Sequence, residues 1–129
     1  VILDTCFLID LHRELAGRPA RGARAFLEHH PDTPFAISAI TAVEFLEGFA
    51  DERRGTRFLD PFRILPLDAA VAVHAARIRR QLRRQGAPIG DMDILIAATA
   101  LHSRIPLVSH NLSHFQRISG LECIGYREG

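Results

Sequence analysis

A length of 129 residues suits one domain built on one core. A hydrophobic share of 47% against 24% charged residues excludes intrinsic disorder, and no apolar run reaches the roughly 18 residues needed to cross a bilayer. The formal net charge of +1 gives no bulk pull on nucleic acid, although all 16 Lys/Arg positions are Arg, a bias that codon usage in a GC-rich genome explains and that also supplies bidentate phosphate donors.

Elements follow in chain order. Val1–Leu3 reads as a short buried strand. Phe7–Leu15 is predicted helical and stops at Gly17-Arg18-Pro19; a second helix covers Ala20–His30 and ends before Pro31. Phe35–Ile37 is the second strand. Ser38 is placed to cap a helix over Ala39–Phe49, with Ile40, Val43 and Leu46 on its inner face. Asp51–Asp60 reads as a polar helical excursion and Arg63–Leu65 as a third strand. Asp68 caps a long helix to about Gln85, whose stripe Val71, Ala75, Ile78 and Leu82 has helical spacing. Gly86-Ala87-Pro88 stops it. Asp91 opens a helix over Asp93–Ser103 that is apolar almost all round and is therefore expected to be buried. Leu107–Val108 and Glu122–Ile124 complete a set of about four to five strands. Strands alternating with helices predict an α/β fold with a parallel sheet, in a single domain over residues 1–129.

Four oxygen-bearing residues stand where these elements begin or end. Asp4 closes the first strand, Glu44 lies a turn into the helix after the second, Asp93 lies in the first turn of the buried helix, and Asn111 follows the fourth strand. In a parallel sheet such positions converge at the carboxyl edge, where ligands bind. Crowded carboxylates there repel one another or gain protons, and a hard divalent cation relieves the conflict. Each residue also has a plain structural reading: Asp91 as N-cap, Asp93 as a first-turn acid, Asp4 as a cap, Asn111 as a turn residue. Glu44, between Val43 and Phe45, is the hardest to explain that way. Cys6 and Cys123 fit neither a disulfide framework nor a zinc site and read as buried thiols. The seven histidines lack HExxH spacing, and neither a GxSxG elbow nor a phosphate-cradling glycine loop is present.

The ordered segments Leu3-Asp4-Thr5, Ser38 to Gly48, Pro88 to Ala98, Leu107 to Phe115 and Arg117 to Leu121 together resemble the PIN-domain family, in particular the VapC-type toxins of bacterial toxin–antitoxin pairs. The resemblance spans essentially the whole chain. It implies a PIN fold with helices on both faces of the sheet and an acidic pocket holding Mg²⁺, with Mn²⁺ as the substitute. Asp4, Glu44 and Asp93 carry over as the acidic core and Asn111 as a fourth position; Asp91, where many relatives have a non-acidic residue, is a further candidate metal ligand that compensates for the acid missing from the last motif, with helix capping as its other reading. Two departures stand out: Ser109 and His114 occupy places where the family's last motif usually has Thr and an acid.

The implied activity is hydrolysis of single-stranded or loop RNA to a 5′-phosphate and a 3′-hydroxyl, without a histidine base. Implied partners are the RNA, a VapB-type antitoxin that neutralises the toxin, and a second copy in a homodimer, for which Phe7, Leu8, Phe45, Leu46 and Phe49 are candidate contacts. With no signal peptide in view, the cytoplasm is the expected location. Two other readings use the same fold: an RNA- or protein-binding module that does not cut, and a structure-specific DNA nuclease. The arginine run Arg77, Arg79, Arg80, Arg83 and Arg84 is either a solvated face or an RNA grip.

Overall fold

The computed structural model describes residues 1–127. Five short parallel strands form one sheet: β1 (Ile2–Leu3), β2 (Ala36–Ser38), β3 (Arg63–Leu65), β4 (Leu107–Val108) and β5 (Cys123–Ile124), in the spatial order β3-β2-β1-β4-β5. Seven helices connect them: α1 (Thr5–Leu15), α2 (Ala23–His29), α3 (Ala39–Leu46), α4 (Glu52–Leu59), α5 (Ala69–Arg84), α6 (Asp91–Ser103) and α7 (Leu112–Phe115). The α/β class and the parallel sheet follow the sequence reading; α7 has no counterpart in it.

The sheet is covered on both faces, and its pleat divides the core in two. Ile2, Ala36 and Leu107 face the side packed by α5 and α6, with Val71, Ala75, Ile78, Leu82, Ile94 and Ala97. Leu3, Ile37 and Val108 face the other side, with Phe7, Leu8, Leu11, Phe45 and Tyr126. The apolar stripe expected on α5 is thus the buried one, and Asp68 caps it by accepting the Val71 N–H at 3.0 Å.

Several expectations are corrected. Helix α2 starts three residues late, because Gly22 precedes it at φ 103°, a left-handed backbone that favours glycine; the Glu14 carboxylate accepts the N–H of the buried Ala23 at 3.1 Å. Val43 is 60% exposed rather than inward. The buried face of α3 is Ile40, Thr41, Ala42 and Phe45, which puts Val43 on the opposite side. Helix α6 begins at Asp91 itself, and its N-cap is Gly90 without a side-chain cap. The residues named as dimer contacts are mostly core: Phe7, Leu8 and Phe45 are buried, while Leu46 and Phe49 pack partly buried against them. Both cysteines are free and half-buried, not fully buried.

Candidate active site

Strand order reverses direction at β1, with β2 and β4 on its two sides, so the carboxyl end of β1 is the sheet's switch point. Asp4 stands there. It caps α1 by accepting the Phe7 N–H on Oδ1 at 3.0 Å, and its own N–H is fixed to the Val108 carbonyl at 3.1 Å. The Ser109 hydroxyl donates to Oδ2, and the Cys6 thiol sits 3.0 and 3.1 Å from the two carboxylate oxygens. Ser109 in turn accepts the Asn111 backbone N–H at 2.9 Å. Asp4 is only 3% exposed, and among the described residues no basic side chain pairs with it.

That environment raises the Asp4 carboxyl above its usual range. Burial is the main cause, the Cys6, Ser109 and Phe7 donors oppose it, and the charge of Asp93 adds to it. Asp93, in the first turn of α6, is therefore electrostatically in the same site. Its Oδ2 lies 3.5 Å from Nδ1 of His114, long for a hydrogen bond.

Glu44 reaches the site through a neighbour. Its Oε1 accepts the Thr5 hydroxyl at 2.6 Å, and Thr5 Oγ1 also lies 3.2 Å from Thr41 Oγ1. Thr41 is buried against Ser38, the cap of α3, whose Oγ accepts its N–H at 3.0 Å. Asn111 precedes α7 without capping it, and its backbone joins the site through Ser109. Asp91 is not brought in. Two residues from Asp93 on the helix, it turns to α5, with its side chain 71% exposed and Oδ1 3.6 Å from an Arg79 nitrogen.

Two contributors were missed from sequence. Cys6 could have been suspected from its place two residues after Asp4, at a helix start. Asp10 carried no signal: it is 1% exposed and accepts the Tyr126 hydroxyl at 2.6 Å, Arg127 Nε at 2.8 Å and Nη2 at 3.2 Å, and Arg21 Nη1 at 3.4 Å. Burial pushes the Asp10 carboxyl up, but the Arg127 and Tyr126 bonds with the two arginine charges bring it below its usual range. The Tyr126 hydroxyl also lies 3.6 Å from the Cys6 sulfur.

Burial, then the neighbouring Asp4 charge and hydrogen bond, push the Cys6 thiol up to about 11. Only the thiolate is nucleophilic. In chelator at pH 8, iodoacetamide is therefore expected to label native Cys6 far more slowly than the unfolded chain, followed by mass spectrometry. Equal rates would show that the thiol is not held by Asp4 as described.

A cavity of about 500 Å³ lies elsewhere, lined by Val1, Phe35, Ala36, Arg63 and His102 toward the amino ends of the strands, and none of Asp4, Glu44 or Asp93 lines it.

The sequence model of the PIN domain family matches residues 1–121. The chain belongs to the PIN domain family. It is 31% identical over 121 residues to Ribonuclease VapC1 of Methanocaldococcus jannaschii, covering 92% of this chain and 80% of that protein. It is 36% identical over 93 residues to Ribonuclease VapC10 of Mycobacterium tuberculosis, covering 70% of each. The fold matches VapBC2 of Rickettsia felis, solved bound to a promoter DNA fragment, with a TM-score of 0.82 at 23% identity over 97% of both chains. DNA-bound VapBC of Salmonella typhimurium matches with a TM-score of 0.76 at 27% identity over 96% of both chains. This PIN domain is thus of the VapC type, and its fold aligns along nearly its whole length with chains of those VapBC complexes.

Proposed function

We propose that this PIN domain is a metal-dependent endoribonuclease toxin, cutting single-stranded or loop RNA and neutralised by a VapB-type antitoxin. The observation that carries the reading is Asp4: a buried carboxylate at the switch point, without a basic partner among the described residues and repelled by Asp93. Relatives named as ribonucleases, and solved neighbours that are VapBC complexes, support the RNA-cleaving and antitoxin-binding parts.

The donor set suits Mg²⁺ or Mn²⁺. Among the described residues no three His, Cys, Asp or Glu side chains are placed to hold a metal together. Mg²⁺ does not need three, since it usually keeps several waters and binds through one or two carboxylates plus substrate phosphate. Asp4 and Asp93 would hold it, with Glu44 reaching it through water. When bound, the cation supplies charge neutralisation and Lewis acidity toward the phosphodiester. The chain's own part is orientation. Phe7 and Ser109 fix the two Asp4 oxygens, Thr5 fixes Glu44, and the low exposure of Asp4 keeps bulk water off that carboxylate.

The protein is expected to cleave single-stranded RNA with Mg²⁺ or Mn²⁺, to stop on chelation, to leave flap DNA intact, and to lose activity in Asp93→Asn. Mapping of RNA ends with each metal checks this. Full metal-dependent cleavage by Asp93→Asn would remove Asp93 from the site, and cleavage of flap DNA alone would replace the substrate. Binding in a homodimer and residence in the cytoplasm belong to the same proposal; no helix among the described residues is long and apolar enough to cross a membrane.

A further inference from the structure

Helix α5 is electrically lopsided. Its last eight residues hold five arginines, Arg77, Arg79, Arg80, Arg83 and Arg84, and the helix contains no acid. All five are exposed, and among the described residues only Arg79 has an acidic partner, Asp91 at 3.6 Å. A helix C-terminus attracts cations, but that effect fades beyond the last turn. It accounts for Arg83 and Arg84, and Asp91 accounts for Arg79, which leaves Arg77 and Arg80 unexplained. In a chain of net charge +1, this is a concentrated positive strip.

The strip is tied to the acidic site on two sides. On one, Arg79 meets Asp91, two residues before Asp93, and a cleft of about 330 Å³ runs between Arg79, Arg83, Pro88 and Asp91. On the other, His114 lies 3.5 Å from Asp93, and three residues further on the Arg117 carbonyl accepts Gln81 Nε2 at 3.1 Å. Gln81 also donates to Ser119 Oγ at 2.9 Å, which pins the turn after α7 onto α5. Around Gln81, Arg77, Arg80, Arg84 and Gln85 line a shallow cleft of about 350 Å³.

We infer that Arg77, Arg80 and Arg84 form a phosphate-binding ridge that holds single-stranded RNA beside the Asp4–Asp93 site. The inference rests on the RNA-cleaving function proposed above and adds how the strand is held. The three positions, spaced i, i+3 and i+7, lie along one side of the helix and span about 10 Å at 1.5 Å per residue. A stacked strand advances about 3.4 Å per nucleotide, so the span matches about three phosphates. The guanidinium fork grips each phosphate bidentately. A protein of net charge +1 with a basic ridge beside an acidic pocket accepts a polyanion along its flank and presents one phosphodiester to the carboxylates.

The test is binding of a short fluorescent single-stranded RNA to the full chain in chelator, titrated with salt. Each neutralised phosphate of a single strand contributes about 0.7 to the slope of log K against log salt. Arg77/Arg80/Arg84→Gln is therefore expected to lower the slope by about 2, Arg77/Arg80/Arg84→Lys to keep most of it, and Arg13/Arg53/Arg54→Gln, on α1 and α4, to leave it unchanged. An unaltered slope in the ridge triple, an equal fall in the control triple, or tight binding of an acidic peptide in place of RNA would overturn the ridge. Cleavage is scored separately with metal present. Cutting with an unaltered ridge slope fails the ridge and spares the nuclease reading; a ridge-dependent slope in a chain that never cuts does the reverse.

Discussion

Replacing Asp4 with Asn is expected to lower RNA cleavage at least about 100-fold, the scale on which loss of one electrostatic stabiliser acts, while leaving the folded state as stable as the wild type or more so. The two halves of this result come from the same burial. Asn caps a helix as well as Asp, so the Phe7 N–H keeps its acceptor. The Ser109 hydroxyl, which donates to Asp4, can rotate and accept from the new amide. What disappears is a charge that the site disfavours. Because burial and Asp93 raise the Asp4 carboxyl, its protonated form stabilises the fold below its ordinary range, and that contribution is lost as pH rises through the raised folded value. Wild-type stability should therefore gain on mild acidification through that window, and Asp4→Asn should lack the gain. Urea denaturation across pH, set beside cleavage assays, reads both. A variant that loses activity by unfolding would show Asp4 to be structural first.

Arg127→Ala is expected to cost about 3 kcal/mol, the scale for removing one partner of a buried ion pair. Asp10 is the buried partner, 1% exposed, and Arg127 gives it two of its four nitrogen and hydroxyl contacts. The remaining donors, Tyr126 and the more exposed Arg21, leave it under-compensated. The pH dependence has the opposite sign to that of Asp4. The Asp10 carboxyl is depressed in the fold, so its stabilisation is present above the ordinary carboxylate range and is lost as pH falls through the lowered folded value. In Arg127→Ala the acid-induced loss should begin at higher pH. Chemical denaturation at pH 7 and an acid titration followed by circular dichroism measure the two effects. An unchanged midpoint would mean that the Asp10 contacts do not hold the C-terminal segment to α1.

The backbone plan was legible where periodicity is strong. The stripe Val71, Ala75, Ile78 and Leu82 fixed α5 and its buried face, and the apolar run after Asp93 identified α6. It was weakest where polar contacts decide. Thr41 is buried because Ser38 and Thr5 satisfy its hydroxyl, and that turns α3 so that Val43 faces out. Helix α7 has only four residues, too few for a period to show. In the site, Asp4, Glu44 and Asp93 stood out because each carboxylate interrupts or bounds an apolar element. Asp91 stood in sequence between metal ligand and helix cap, and helix geometry separates it from the site: two positions from Asp93, its side chain leaves on another side and meets Arg79. The Asp10 cluster was invisible because Tyr126 and Arg127 lie more than a hundred residues away in the chain.

The bond between Ser109 and Asp4 closes a separation of 105 residues. During synthesis Asp4 is made long before the hydroxyl that orients it. A chain still on the ribosome therefore carries Asp4, Glu44 and Asp93 before Ser109 exists to orient the first of them. The finished pocket arrives only once Ser109 has joined the sheet edge, so a partly made domain lacks the contact that fixes Asp4 Oδ2.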